Sequence, residues 1–221
     1  MKLEYQEVLK NPKVNEFIDQ AGRVLKVEGY TEHGRRHCGL VSTRAEKLAT
    51  EIGLEKHQVE LCAIAGYCHD MGNFMGRTEH HYWGALLFGQ IYIDIYDIKD
   101  VAAVMQAISN HDKDEMKFSS DLSALVVIAD KSDISRDRVL VKDKKEISRD
   151  IHDRVNYATT KSDLKVDSKK KAIKLILEID TDFVPIMEYF EIFTERMSYC
   201  RKAAQYLGYS FEIEINKIKL L

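Results

Sequence analysis

Three histidine–aspartate pairs are the first residues in this chain whose chemistry calls for explanation, because imidazoles and carboxylates bind metal ions and carry protons. They are His69-Asp70, His111-Asp112 and His152-Asp153. The first pair closes the most apolar segment, VELCAIAGYCHDM, where burying both side chains is costly unless something compensates them. A metal ion compensates by pairing the charge and taking up the lone pairs. We therefore predict a metal at His69-Asp70 and expect His152-Asp153, in charged sequence, to lie on the surface.

Further nitrogen and oxygen ligands stand beside apolar helical sequence elsewhere in the chain. They are His37, His80, His111 and Asp130. Adjacent helical residues point about 100° apart, so a His and an Asp in sequence can share one ion only near a helix end, with partners from other helices. Taken singly, each candidate has an ordinary explanation as a core histidine or a turn carboxylate. Their conjunction favours one shared cleft.

Helical periodicity covers the chain to about residue 140 and must position these ligands. Thr31 is expected to cap the helix that carries His37, and Gly53 to end it. The next helix, from about 56 to 71, is apolar all round, which indicates a central, buried position. Further helices are expected over 79–96 and 101–109, and a buried one, capped at Ser119 to Asp121, ends near Asp130.

The pattern changes after about residue 140. Short strands are expected over 154–160, 164–167 and 172–179, a long helix over 182–207, and a final strand in FEIEINKIKL. We predict a mainly α fold: a helical bundle with a small C-terminal antiparallel β-sheet and a long helix. Residues 1–145 would form the catalytic domain and residues 146–221 an accessory unit. Apolar residues of the long helix are expected either to contact a second copy in a homodimer or to pack on the same chain's helical body.

Composition narrows the class of protein. The 221 residues include 45% hydrophobic and 31% charged side chains, an ordinary globular composition that excludes a disordered or collagen-like chain. The net charge of −3 gives no field that would recruit a nucleic acid polymer or a membrane. The first residues are charged and lack an apolar stretch, so we expect no signal peptide. We also expect no membrane span, and the cysteines form no CxxC pair. We expect a cytoplasmic protein whose four cysteines are reduced and buried.

The ordered set of ligands resembles the HD-domain superfamily of metal-dependent phosphohydrolases, and the whole chain looks like an uncharacterised bacterial branch of it. That family's pattern is a His, then His-Asp on a buried helix, then a distant Asp, with two intervening histidines in members that bind two metals. The matching strings are GRRHCGLVSTRAEKLA, AGYCHDMGN, RTEHHYWGALL, ISNHDK and VVIADKSD. The resemblance covers about residues 30 to 138.

The resemblance implies a helical bundle with one or two divalent ions at its centre. The first ion would be bound by His37, His69, Asp70 and Asp130. The second would be bound by His80 and His111 with Asp70 bridging, and His81 ranks behind His80 as a ligand. Two departures leave the substrate open: the Gly-Tyr-Pro signature of cyclic-dinucleotide phosphodiesterases is missing after His111, and Asn73 stands where many relatives have Lys.

The chemistry expected from such a site is phosphoryl hydrolysis. Nitrogen and oxygen ligands without thiolate suit Mn, Fe, Co, Mg or Zn, and such ions activate water. We predict catalytic roles for His69, Asp70, Arg36 and Lys131. Substrate binding is predicted for the cations close in sequence to the ligands: Arg36, Arg77, Lys113 and Lys131. Each of these also has an ordinary reading as a surface salt-bridge partner.

Three functions remain open from sequence alone. The leading one is an enzyme that hydrolyses a small phosphate ester or anhydride, in a nucleotide for example. The second is a metal-containing sensor or scaffold that binds a nucleotide without turnover. The third, a plain helical interaction protein, would require all six ligands to be coincidental. The second pair of histidines favours the enzyme, because a purely structural ion needs only one closed site.

Overall fold

The computed structural model describes residues 1–113 and 115–220. Its N-terminal body consists of α-helices around one apolar core. They are α1 (Tyr5–Lys10), α2 (Pro12–Val27), α3 (Arg35–Ile52), α4 (Lys56–Cys68), α5 (His80–Tyr92), α6 (Ile98–Asn110) and α7 (Asp121–Lys131), with a 3₁₀ helix at Met71–Met75. Helix α4 is buried at every position from 61 to 68 and packs against α3, α6 and α7. The predicted central helix is therefore confirmed.

Local capping chemistry explains where several helices begin and end. The Asn11 side chain accepts hydrogen bonds from the backbone at the start of α2, and Ser120 caps α7 in the same way. Gly53 ends α3 in the left-handed region at φ 90°, where a glycine pays no steric penalty. The expected cap at Thr31 is wrong: α3 begins at Arg35, after Gly34, because residues 31–34 form an extended approach without helical hydrogen bonds.

The C-terminal part begins with short helices and continues into a four-stranded sheet. Its elements are a 3₁₀ helix at Arg136–Arg138, α8 (Lys144–Ile147), α9 (Ile151–Ala158), β1 (Thr159–Asp167), β2 (Ala172–Ile179), α10 (Ile186–Tyr206), β3 (Ser210–Ile215) and β4 (Ile218–Lys219). The strand expected over 154–160 is wrong for its first five residues, which lie in α9. Asp150 caps that helix by accepting from two backbone N–H groups, and this local interaction outweighs the alternating pattern of Val155 and Tyr157.

The mainly α fold with a small C-terminal sheet and a long helix is confirmed, but the sheet is mixed, not purely antiparallel. Strands β1 and β2 pair antiparallel and β2 and β3 pair parallel, because α10 carries the chain across between them. The expected last strand breaks at Asn216 and Lys217, which both adopt positive φ. Ile218, expected on the apolar face, is consequently 63% exposed.

The C-terminal segment packs directly on the helical body. Helix α10 lies against α7, and β1 lies against α3. Arg44 of α3 links these parts, since its guanidinium donates to the Ser132 hydroxyl at 2.9 Å and to the Ser162 carbonyl at 2.6 Å. Phe193 and Met197 of α10 are buried within the same chain, as one of the two alternatives expected. The division into residues 1–145 and 146–221 as separate domains stays a prediction, and so does the homodimer.

The structure also bears on the expectations about the cysteines and about membrane-spanning helices. All four cysteines are buried and free. No helix among the described residues is both long and apolar enough to cross a membrane.

Candidate metal centre

The six ligands expected from the sequence lie together in the buried interior of the helical body. His37 is in the first turn of α3, His69 directly follows α4, and Asp70 precedes the 3₁₀ helix. His80 begins α5, His111 follows α6, and Asp130 is next to last in α7. None of the six is more than 9% exposed. Five of them stand at or next to helix ends, where side chains from different helices can converge.

One group of donor atoms surrounds the Nε2 atoms of His37 and His69, which are 3.2 Å apart. The Oδ1 atom of Asp130 lies 3.2 Å from the first of these nitrogens and 3.6 Å from the second. The Oδ2 atom of Asp70 lies 3.5 Å and 3.3 Å from them. These four residues are the set expected to bind the first metal.

A second group forms on the other side of Asp70. The Oδ1 atom of Asp70 lies 3.2 Å from His80 Nε2 and 3.5 Å from His111 Nε2. The two imidazole nitrogens are 3.0 Å apart. Each carboxylate oxygen of Asp70 thus faces a different pair of histidines, which is the arrangement of a bridging ligand.

Hydrogen bonds of the opposite ring nitrogen set the tautomer of three of these histidines. The Nδ1 atoms of His69, His80 and His111 lie 2.8, 2.9 and 2.7 Å from the backbone carbonyl three residues earlier. Because a carbonyl can only accept, Nδ1 must donate, and a neutral ring then presents an unprotonated Nε2 to the cluster. Two lone pairs facing each other at 3.0 Å repel unless a cation lies between them. The residues present therefore fit a divalent ion.

His37 is oriented by a carboxylate instead of a carbonyl. Its Nδ1 lies 2.7 Å from Asp133 Oδ2, and the same oxygen accepts from Arg36 at 2.7 Å. Burial by itself would raise the pKa of Asp133, but Arg138, His37 and Arg36 hold that pKa well below its usual range. Asp133 thus stays ionised and keeps the His37 Nε2 pointed at the cluster.

Asn73 and Arg77 form hydrogen bonds on the side of the cluster where Asp70 faces His80 and His111. The Asn73 amide donates to Asp70 Oδ1 at 2.8 Å, and its own oxygen accepts from Arg77 at 3.1 Å. Arg77 also lies 3.3 Å from His80 Nε2. Since a guanidinium can only donate, this contact agrees with an unprotonated Nε2.

The charges of the cluster demand at least one cation. Burial lowers the pKa of His69, yet Asp70 and Asp130 outweigh it and raise that pKa to about 10. Burial lowers the pKa of His111 to about 4, although Asp70 opposes the change. The two carboxylates are therefore balanced either by a proton on His69 or by a metal ion in its place.

The predicted substrate-binding cations fall in different places. Arg77 and Lys113 line an open pocket of 530 Å³ beside His80 and His81, together with Asp112. Lys131 lies within bonding distance of Asp112 and 3.1 Å from Asp130. Arg36 pairs with Glu32 and Asp133, behind His37. The roles assigned to Arg36, Arg77, Lys113 and Lys131 stay predictions.

His80 and His81 differ in what they face. His80 Nε2 contacts Asp70, whereas His81 Nε2 lies 3.7 Å from Glu79 and its Nδ1 has no hydrogen-bond partner. Of the two, His80 is in a group of candidate ligands. The ranking of His80 before His81 agrees with this placement.

Sequence reasoning missed three residues that support the ligands. They are Asn73, Asp112 and Asp133. Asp112 was visible as the second half of the His111-Asp112 pair, and Asp133 follows Asp130 by one helical turn. Asn73 was noticed only as a departure from relatives, because a single amide carries no spacing signal.

Comparison with known proteins agrees with this geometry. The family model described as HD domain matches residues 34–135, a segment that contains all six ligands. A curated relative, "Uncharacterized protein MJ1020" of Methanocaldococcus jannaschii, is 27% identical over 212 residues, covering 85% of this chain and 81% of the relative. The expected bacterial branch stays a prediction. HD domains are in general metal-dependent hydrolases that bind divalent ions, and the buried histidine–aspartate groups provide ligands for such ions. Residues 34–135 of this chain therefore form an HD domain of the HD-domain superfamily.

Proposed function

We propose that this protein is a metal-dependent phosphohydrolase that cleaves a phosphate ester or anhydride of a small molecule, with nucleotides as the expected substrate class. The observation that carries the proposal is the division of Asp70: Oδ2 faces His37 and His69, while Oδ1 faces His80 and His111. A single structural ion would need only one closed set of ligands. Six candidate ligands, one of which is the shared carboxylate, suit two ions.

The donor atoms of the candidate ligands restrict the choice of metal to ions that bind nitrogen and oxygen. Cys68 directly precedes His69, but the groups of candidate ligands among the described residues do not include its sulfur. Mn, Fe, Co, Mg and Zn remain compatible. Two such ions, when bound, would polarise a phosphoryl oxygen and lower the pKa of a water molecule.

The chain's own residues would bind and orient the substrate. The pocket of 530 Å³ beside His80 is large enough for a nucleotide and presents the cations of Arg77 and Lys113. Burial lowers the pKa of Lys131, but Asp130 and Asp112 raise it further than burial lowers it, so the ammonium stays charged next to the cluster. These positive groups would attract a phosphate to the open side of the ligands.

Turnover by metal-loaded protein tests the proposal. Purified protein is loaded with Mn and assayed on an aryl phosphate and on a panel of nucleoside mono-, di- and triphosphates and cyclic nucleotides. Hydrolysis of at least one of these, lost on chelation and restored by Mn, is the expected result. Tight nucleotide binding without turnover would instead support the sensor or scaffold alternative.

A further inference from the structure

Arg196 of helix α10 differs from the other arginines near the metal centre. It lies between Phe193 and Met197, which are both buried, and is itself half-buried. Its guanidinium carbon lies 5.1 Å from the centre of the Phe193 ring. The side chain is thus held on the buried side of α10 by an aromatic contact.

The guanidinium of Arg196 has no negative partner among the residues that the structure describes. Within residues 1–113 and 115–220, no carboxylate lies at ion-pair distance from its guanidinium, and the cation–π contact with Phe193 is its recorded side-chain interaction. Three other cations near the cluster do have a carboxylate partner: Arg36 has Asp133 at 2.7 Å, Arg77 has Asp112 at 3.1 Å and Lys131 has Asp130 at 3.1 Å. A partly desolvated charge without a partner is costly, so the position calls for an anion.

The surroundings of Arg196 are those of the metal centre. Helix α10 packs along α7, whose C-terminal end carries Asp130 and Lys131. Burial lowers the pKa of the Arg196 guanidinium, and the charges that act on it are those of Arg138, Asp130, Arg77 and Asp112. Asp130 belongs to the cluster and Arg77 contacts His80, whereas Asp112 and Arg138 bond to residues one step further out. The ring of Tyr206, at the end of α10, lies 6.0 Å from that of Phe118, just before α7, so the two helices run antiparallel. Arg196, ten residues before Tyr206, therefore lies level with the C-terminal end of α7, where Asp130 and Lys131 stand.

We propose that Arg196 is a substrate-binding residue, which donates hydrogen bonds to the phosphoryl oxygens of a molecule held at the histidine–aspartate cluster. The inference rests on the proposed phosphohydrolase function and names a phosphate group as the ligand. It also assigns a role to the C-terminal segment: α10 completes the binding site that the HD domain begins.

The chemistry of the guanidinium supports this assignment. Its planar fork matches two oxygens of a phosphate, and it stays charged at every working pH. A bound phosphate would supply the counter-charge that no described carboxylate provides. Carboxylates partly neutralise the charges of Arg77 and Lys131, whereas no described carboxylate neutralises the charge of Arg196.

Phosphate binding by the full-length, Mn-loaded protein tests the inference. Inorganic phosphate is titrated by calorimetry into wild type, Arg196→Gln, Arg196→Lys and the control Arg201→Gln, which removes an exposed arginine of the same helix. We expect phosphate affinity to fall about tenfold or more in Arg196→Gln, because a charge-assisted hydrogen bond is lost. Arg196→Lys should fall by a smaller factor, since it keeps the charge without the fork, and Arg201→Gln should stay within about twofold of wild type.

Metal content and thermal melting of each variant separate binding from folding. Unchanged metal with weakened phosphate binding supports the assignment. Phosphate affinity equal to wild type in Arg196→Gln, or no phosphate binding by wild type, overturns it. If Arg196→Gln does not fold, Arg196→Lys decides, and an affinity within twofold of wild type then overturns the assignment.

Parallel turnover assays keep this inference apart from the proposed function. Arg196-dependent phosphate binding without hydrolysis of any tested substrate would leave the inference standing and remove the phosphohydrolase. Hydrolysis with the same KM and the same phosphate affinity in wild type and Arg196→Gln would do the opposite.

Discussion

Asp70 is the residue on which both halves of the metal centre depend. Its two oxygens lie 3.2–3.5 Å from Nε2 atoms of four histidines, two on each side. Asn73 fixes the carboxylate through Oδ1 at 2.8 Å, so its orientation is set before any ion binds. Burial raises the pKa of Asp70, but His69, His111 and His80 hold it well below the usual range. The carboxylate is therefore ionised at neutral pH.

Replacing Asp70 with Ala should remove metal from both groups and abolish hydrolysis. Without the carboxylate, the facing imidazoles lose the negative charge that makes the site attractive to a cation. Helix content should stay close to wild type, because Asp70 lies between helices and not within one. Elemental analysis with circular dichroism measures both effects. Full metal occupancy in the variant would contradict the assignment.

Replacing His111 with Gln should remove only the second ion. His111 contacts Asp70 Oδ1 and His80, while His37 remains with its own partners. Metal stoichiometry is expected to fall from two ions to one per chain. His152→Gln is the matched control, because it changes the histidine of another His-Asp pair that is exposed on α9. Equal metal loss in both variants would show that the effect is not specific to the site.

Close approach of two backbone segments holds the elements of the centre in place. Gly72, in the 3₁₀ helix after Asp70, lies against the start of α5, where His80 stands. A Cβ at Gly72 would overlap the His80 carbonyl oxygen and lie 2.5 Å from the Gly84 backbone nitrogen. The glycine therefore allows Asp70 and His80 to come within bonding distance of one ion.

Gly72→Ala should destabilise the protein by about 3 kcal/mol, since backbone atoms cannot move aside as a flexible side chain would. Affinity for the second metal should also fall, because α5 must shift with His80. Gly39→Ala is the matched control: its Cβ would meet nothing within 4 Å inside α3, and it should stabilise by roughly 0.5–1 kcal/mol. Urea unfolding measures the stability of both variants. A Gly72→Ala variant as stable as wild type would refute this account of the contact.

At the scale of the whole molecule, the metal centre joins helices that are distant in the chain. Its candidate ligands come from α3, α5, α7 and the ends of α4 and α6, and α10 packs against α7. One continuous apolar core extends from the N-terminal helices to β3. An ion bound to these ligands therefore stabilises the packing of the entire body.

Removing the metal should lower the melting temperature. At free Mn about 100 times its Kd, binding contributes about 2.7 kcal/mol, which corresponds to roughly 5 to 10 °C in a chain of this size. Differential scanning fluorimetry with and without chelator measures the shift, and Asp70→Ala should show none. A wild-type melt that is insensitive to Mn and to chelator would argue against occupied sites.

Self-association is a further prediction for the whole molecule. Much of the apolar surface of α10 is buried within the chain, but Met187 is 61% exposed, and Trp83, Leu86 and Ile93 form an exposed stripe on and just after α5. Such surface favours contact with a second copy. Light scattering at tens of micromolar should give the mass of a dimer, and a strictly monomeric protein would remove this expectation.

Residue chemistry and local periodicity were sufficient to select the six candidate ligands and to predict the mainly α fold and most of the helices that carry them. A buried His-Asp pair is costly without a cation, and an apolar helix must lie inside, whatever surrounds it. Packing alone decided which way Asp70 divides its oxygens, that β2 and β3 pair in parallel, and that Arg196 lies beside the C-terminal end of α7 with no carboxylate partner among the described residues. These features join residues tens of positions apart, and their geometry depends on how whole elements approach one another. The strand expected over 154–158 was wrong for a similar reason at shorter range. The apolar residues there fit a helix and a strand equally well, and the capping carboxylate of Asp150 favours the helix.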